Sequence, residues 1–392
     1  MAKYNFDEII DRKGTNAIKV DALKERYGDA GLIPLWVADM DFRSAQEIID
    51  AIVERAKHGV FGYTSASQEY YNSIANWVGK YHNWKIEQEW ISFVPGVVKG
   101  IAFVVDAFSQ KGDNIIIQPP VYHPFRIVPT LHERTIIDNS LVLISGRYYM
   151  NVEGLKRLIT PACKILILCN PHNPAGRVWH KQELSDIAEI CYDNNILVIA
   201  DEIHADLTFE KQGHKHIPFA SVSEKAAQNS ITFMAPSKTF NIAGVVSSFA
   251  VVPNEGMRKK FFAYLERSEL ADGHIFAYLA TQVAYEKGEE WLEQVKDYVW
   301  DNITFVDEYL KNNIPQIKVM IPDASYLVWL DCRGLQLSQP ELEKLFIKEA
   351  KLALNTGTMF GVVGEGFMRM NVGTSRKILE KALDNLKKAI NR

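Results

Sequence analysis

The sequence predicts an α/β protein: a large domain with a mostly parallel sheet between helices, and a smaller α+β domain. Three observations carry that expectation. Between about residue 85 and residue 250, short apolar runs alternate with helical patterns. The runs lack the polar alternation of a one-sided sheet, as strands buried on both faces do. Beyond about residue 287 this alternation gives way to a long amphipathic helix and mixed elements.

In chain order, the runs read as strands are Trp90-Ile-Ser-Phe-Val, Asn114-Ile-Ile-Ile-Gln, Lys164-Ile-Leu-Ile-Leu-Cys and Ile196-Leu-Val-Ile-Ala. Ile231-Thr-Phe-Met and Ser247-Ser-Phe-Ala-Val-Val complete the set. Helical periodicity marks Val97–Phe108 and Lys181–Asp193 between them. A helix over residues 289–312 leads to Ser325-Tyr-Leu-Val-Trp-Leu, a helical stretch near 341–351 and a strand-like segment at 366–372. This assigns 46–286 to the large domain, and 1–45 with 287–392 to the small one.

The bulk numbers agree and exclude some classes. With 392 residues, 47% hydrophobic and 23% charged, the chain can bury a large core. Size alone allows roughly two to three domains, or one large α/β unit with a smaller one. A net charge of −4 with interleaved signs argues against nucleic acid or an anionic membrane as the main partner. Cys163, Cys169, Cys191 and Cys332 form no C-x-x-C pair and read as buried free thiols. No apolar leader or membrane-length run is visible, so a reducing cytoplasm is expected.

Polar or Pro/Gly clusters follow the strands: Pro95-Gly96, Pro119-Pro120, Asn170-Pro-His-Asn-Pro174, Asp201-Glu202 and Ser237-Lys238. Ligands of open α/β sheets bind beyond the carboxyl ends of strands, so these residues converge on one edge. A lysine at such an end, Lys238, loses hydration; its amine then becomes available for Schiff-base chemistry with an aldehyde cofactor. Asp201 can hold a protonated pyridine nitrogen, and the Asn173 amide can serve a phenolic oxygen. The backbone N–H groups of Gly96, Val97 and Val98, with a helix dipole behind them, suit a phosphate that the Ser237 hydroxyl would complete.

The ordered set Asn170-Pro-His-Asn-Pro-Ala-Gly176, Asp201-Glu-Ile-His204 and Ser237-Lys-Thr-Phe-Asn-Ile-Ala-Gly244 resembles fold-type I, aminotransferase-like pyridoxal-phosphate enzymes. Pro34-Leu-Trp-Val-Ala-Asp-Met-Asp-Phe42, Gly59-Val-Phe-Gly-Tyr63, Pro120-Val-Tyr-His-Pro-Phe125 and Gly213-His-Lys-His-Ile-Pro-Phe-Ala-Ser221 narrow the resemblance to the MalY/PatB type of cystathionine β-lyases and cysteine-S-conjugate β-lyases. It covers residues from about 30 to 376.

The resemblance implies a seven-stranded sheet, pyridoxal 5′-phosphate as cofactor, and a homodimer with shared active sites. It assigns the Schiff-base lysine to Lys238, the pyridine-nitrogen partner to Asp201 and the O3′ ligand to Asn173. Tyr122 would stack on the cofactor ring, and Arg369 would grip the substrate α-carboxylate with its planar fork. Tyr63 would reach the phosphate held by a neighbouring subunit. His204 stands where aminotransferases usually carry a tyrosine, which is typical of the lyase branch. Val246 stands where they usually carry a phosphate-binding arginine, so backbone amides, Ser237 and Tyr63 must bear that load. The implied reaction is β-elimination from cystathionine or a related cysteine-S-conjugate, with Lys238 as general base and Lys238 or Tyr122 as proton donor to the thiolate. An aminotransferase using the same residues is the nearest alternative, and a regulatory module on the same fold a more distant one. His214 and His216 resemble a metal pair but lack a carboxylate or cysteine at suitable spacing, so no metal is expected. His123 and His172 flank the motifs and are candidates for the pocket wall.

Overall fold

The computed structural model describes residues 4–391. Its frame is a seven-stranded sheet, ordered Ile91–Val94, Ser248–Val251, Ser230–Met234, Leu197–Asp201, Cys163–Cys169, Asn114–Ile117 and Thr135–Asp138. Ser248–Val251 runs antiparallel to both of its neighbours. All other pairings are parallel.

Helices cover both faces, which explains the unbroken apolar runs. Leu166 and Leu168 pack with Trp179, Leu184 and Ile187 on one side. Ile165 and Ile167 pack with Val97, Ile101 and Phe125 on the other. Each such side chain, fully buried, contributes about 1.5–3 kcal/mol relative to exposure. The helix Val97–Phe108 lies close on the sheet because Gly100 has no side chain: a Cβ there would sit 2.5 Å from the Phe233 ring.

Two elements of this region carry no strong sequence signal. The edge strand Thr135–Asp138 has only two apolar residues between polar ends, and both are half-buried. Pro124–Leu131 is a short helix that starts on the proline of the Val-Tyr-His-Pro segment.

The smaller sheet, ordered Lys318–Met320, Leu327–Asp331, Phe367–Asn371 and Asn355–Thr356, is antiparallel throughout. The helix Glu289–Asn313 packs beside it. The helical stretch expected near 341–351 is an α turn, Gln339–Glu343, continued by a π segment, Lys344–Glu349.

The N-terminal region joins this unit. Ile33–Pro34 pairs in parallel with Leu352–Ala353. The following segment, 36–42, crosses toward the large sheet with its carbonyls taken up by side chains. Asn371 donates to Val37 O (2.6 Å) and Asp39 O (2.7 Å), and Asn241 donates to Met40 O (3.0 Å) and Phe42 O (2.8 Å). Arg12 and Lys19 ion-pair with Asp39 and Asp41 beneath it. All four cysteines are buried and free. Among the described residues no helix is long and apolar enough to cross a membrane.

Candidate active site

The carboxyl ends of the parallel strands and the start of the antiparallel one meet at a single edge and enclose a cavity of about 350 Å³. Its lining includes Gly96, Val97, Val98, Tyr122, Asn173, Asp201, His204, Ser237 and Lys238, from turns far apart in sequence. Lys99, Cys169 and Val246 also line it.

Lys238 sits in a one-turn helix, Pro236–Thr239, immediately after its strand. Its Nζ donates to Ala38 O at 2.6 Å, and the Tyr326 hydroxyl donates to the same carbonyl at 2.9 Å. Burial and the nearby Arg369 pull the Lys238 ammonium down to about 8, against Asp39 and Asp201. The lysine is therefore easier to deprotonate than a surface amine. Asp201 ends the central strand and is buried; among the described residues its carboxylate accepts only the Ile203 N–H, at 3.1 Å. Burial raises its carboxyl to about 7, with the Ile203 N–H and Lys238 opposing. An Asp left with so little compensation is set to receive a cationic donor.

His204 is buried, its Nδ1 has no partner, and burial, Lys238 and Arg369 push it down to about 3, so its ring is neutral. Burial raises the Tyr122 phenol, so it keeps its proton. Gly96, with φ of 112°, caps the helix Val97–Phe108 and keeps the approach to its N-terminus open, since a Cβ there would meet nothing within 4 Å. The first N–H groups of a helix lack partners within it and favour an anion.

Arg369 lies in the strand Phe367–Asn371, buried. Its Nη1 donates to Asn173 Oδ1 (2.9 Å), and its Nη2 to Asn355 Oδ1 (2.6 Å) and Trp36 O (2.9 Å). Its Nε has no partner, and its guanidinium lies 4.9 Å from the Phe360 ring centroid. Burial lowers it to about 10. Among the described residues no carboxylate pairs with it, so a buried cation is left facing neutral groups. Such an arrangement is costly unless an anion arrives.

The Ser237 hydroxyl donates to Ser247 O at 3.0 Å, so its proton is committed within the chain. Tyr63 lies outside the cavity on an extended surface segment, fully exposed, with Val60 and Phe61 exposed beside it. Val246 brings no charge and adopts a left-handed backbone, φ 56°, costly for a β-branched residue. His214 and His216 face separate carboxylates, Asp323 at 3.4 Å and Glu202 at 2.8 Å. Among the described residues no cluster of three or more metal-ligating side chains occurs. His123 stands beside Tyr122 with Nδ1 unpartnered, and burial and Arg369 lower it to about 4. His172 is buried against Trp179 with neither ring nitrogen partnered. The motifs gave no sign of Tyr326 or Asn355; the patterns around them show only buried strands.

An amine this easily deprotonated suits an aldehyde, and the buried guanidinium nearby suits a carboxylate. The chain belongs to the aminotransferase class I and II family, whose model matches residues 30–386. It is 42% identical over 387 residues to cystathionine beta-lyase PatB of Bacillus subtilis, covering 98% of this chain and 100% of the relative. Protein MalY of Escherichia coli is 32% identical over 390 residues, covering 99% of each chain. The crystal structure of cystalysin from Treponema denticola, which contains pyridoxal 5′-phosphate, superposes with a TM-score of 0.95 at 33% identity over 99% of each chain.

The residues present fit that cofactor. The open helix terminus at Gly96 suits a phosphate, the unpartnered His204 Nδ1 and the Asn173 amide suit a phenolic oxygen, and buried Asp201 suits a protonated ring nitrogen.

Proposed function

We propose that the chain holds pyridoxal 5′-phosphate and catalyses β-elimination from cystathionine or a related cysteine-S-conjugate, with release of a thiol, pyruvate and ammonia. The observation that carries this reading is Arg369: a buried guanidinium without a carboxylate partner among the described residues, tied through Asn173 to the cavity that holds Lys238 and Asp201. The elimination branch is supported by neutral His204 and by the full-length likeness to PatB.

When bound, the cofactor supplies an aldehyde that captures the substrate amine and a ring that takes up the electron pair left at Cα. The chain's own groups do the rest. Asp201 would keep the ring nitrogen protonated, and Asn173 and His204 would serve the phenolic oxygen. Arg369 holds the α-carboxylate and so orients the Cα–H bond. The Lys238 amine takes the Cα proton as general base, its lowered proton affinity suiting neutral pH. Lys238 Nζ–H or the Tyr122 hydroxyl then gives a proton to the departing sulfur. The N–H groups of Val97 and Val98 would hold the phosphate, that of Gly96, also expected there, being spent on Val94 O at 2.8 Å. Ser237 joins them after its hydroxyl turns from Ser247 O. A second copy of the chain brings Tyr63 to the phosphate, the role that suits its full exposure. Residues 46–286 act as the cofactor-binding unit, and 1–45 with 287–392 as the unit that carries the carboxylate grip.

The deciding experiment gives cystathionine to the loaded protein without any keto acid. Catalytic formation of thiol and pyruvate is expected, and Lys238→Ala abolishes it together with the yellow chromophore. Strict dependence on an added keto acid overturns elimination in favour of amino transfer.

A further inference from the structure

Behind the cavity floor lies a buried polar cluster with no role in the scheme above. Asp206, two residues after His204, is buried together with all of its partners. Its Oδ2 accepts from Thr239 Oγ1 at 2.7 Å. Its Oδ1 accepts from Trp77 Nε1 at 2.9 Å and meets His82 Nε2 at 2.8 Å. Burial alone would raise this carboxyl, but hydrogen bonds from His82, Thr239 and Trp77 outweigh it and hold the group below its ordinary value. The charge is thus fully engaged, and each contact is directional.

The placement of these partners gives the cluster its meaning. Thr239 is the residue after Lys238, in the same one-turn helix. A helix this short cannot define its own orientation, because it closes too few hydrogen bonds to be stable alone. Trp77 and His82 belong to the fifteen-residue helix Gln68–His82, a rigid element. Asp206 therefore ties the lysine's turn to a long helix on one side and, through the chain, to the turn carrying His204 on the other. A second pair, His216 Nε2 with Glu202 Oε2 at 2.8 Å, packs its ring edge-on against His82, with centroids 5.1 Å apart.

We propose that Asp206 is a positioning residue for Lys238, acting through the Thr239 hydroxyl to hold the Pro236–Thr239 turn in the orientation that aims Nζ into the cavity. This rests on the proposed cofactor site. Neither Asp206 nor Thr239 lines the cavity, so their effect is exerted through the orientation of the lysine.

The test compares Thr239→Val, which keeps the shape but loses the hydroxyl, with Thr239→Ser, which keeps the hydroxyl. The first readout is attachment of pyridoxal phosphate to the cofactor-free chain. Nζ condenses with the aldehyde and releases water, borohydride reduces the product to a secondary amine, and mass spectrometry counts the modified Lys238. The second is the split between kcat and KM. Thr239→Val is expected to slow attachment and lower kcat at least tenfold, with KM changed less than threefold. Thr239→Ser is expected to restore both to within threefold of the parent. Equal behaviour of the two variants overturns the proposal, whether both match the parent or both fail. A parent chain that leaves Lys238 unmodified overturns it together with the cofactor site. Attachment in the parent without thiol release overturns the elimination reaction alone, and the Val/Ser comparison still decides the role of Asp206.

Discussion

Replacing Asp201 by asparagine is expected to stabilise the cofactor-free protein while destroying its activity. Burial moves the Asp201 carboxyl from 3.8 to about 7 in the folded chain. A tenfold change in proton affinity corresponds to 1.36 kcal/mol, so the shift amounts to roughly 4 kcal/mol at full ionisation. The sign follows from which state holds the proton. Below about pH 4 both folded and unfolded chains carry it, and the residue costs nothing. Between about 4 and 7 the unfolded chain has released it and the folded chain has not, so stability falls as pH rises. Above about 7 the loss is complete. Asparagine has no proton to lose and keeps a similar shape. Urea unfolding of the cofactor-free parent and Asp201→Asn at pH 5, 6, 7 and 8 should show the variant's advantage growing by about 1 kcal/mol per pH step and levelling off near pH 7 to 8. With pyridoxal phosphate present the order should reverse, because the carboxylate then has a cationic partner. A pH-independent difference, or a variant less stable than the cofactor-free parent at pH 8, refutes the view that Asp201 is held at an energetic cost for a ligand.

Arg369→Lys should lower kcat/KM by about ten- to a hundredfold, mainly through KM, since two charged hydrogen bonds to a carboxylate become one; steady-state rates on cystathionine check this. Tyr63→Phe should weaken retention of the cofactor during dialysis, and light scattering should give twice the 44.5 kDa chain mass for the parent. His204→Tyr should raise keto-acid-dependent amino transfer relative to elimination, measured by pyruvate and thiol release with and without a keto acid.

The large sheet was legible because its buried strands need unbroken apolar runs, and the reactive residues because they cluster where those runs stop. Lys238, Asp201 and Asn173 could be picked out on that ground and Tyr122 through the family resemblance, and all four are found around one cavity. The edge strand Thr135–Asp138 was silent because a half-exposed strand needs few apolar residues. What local pattern cannot convey is where a side chain spends its hydrogen bonds. Ser237 looked free for a phosphate, yet its proton goes to Ser247 O, ten residues on. Tyr326 and Asn355 were invisible because their partners, Ala38 and Arg369, stand 288 and 14 residues away. The Asp206 cluster escaped for the same reason: Trp77 and His82 reach it from more than 120 residues upstream.

The segment 36–42 has a consequence for how the enzyme comes into being. Ala38, in the wall of the pocket, is flanked by carbonyls fastened by Arg369 and Asn371, residues made more than 330 positions later. The seven-stranded sheet can pair as soon as residue 251 has emerged, but Lys238 then has no Ala38 oxygen held in place beside it. Closing so long a loop costs entropy that must be met before its contacts repay it. A nascent or C-terminally shortened chain should therefore carry a finished sheet and an open, solvent-filled pocket. Its lysine would lack the Ala38 contact and part of its burial. The site is complete only when these two distant parts of the chain meet.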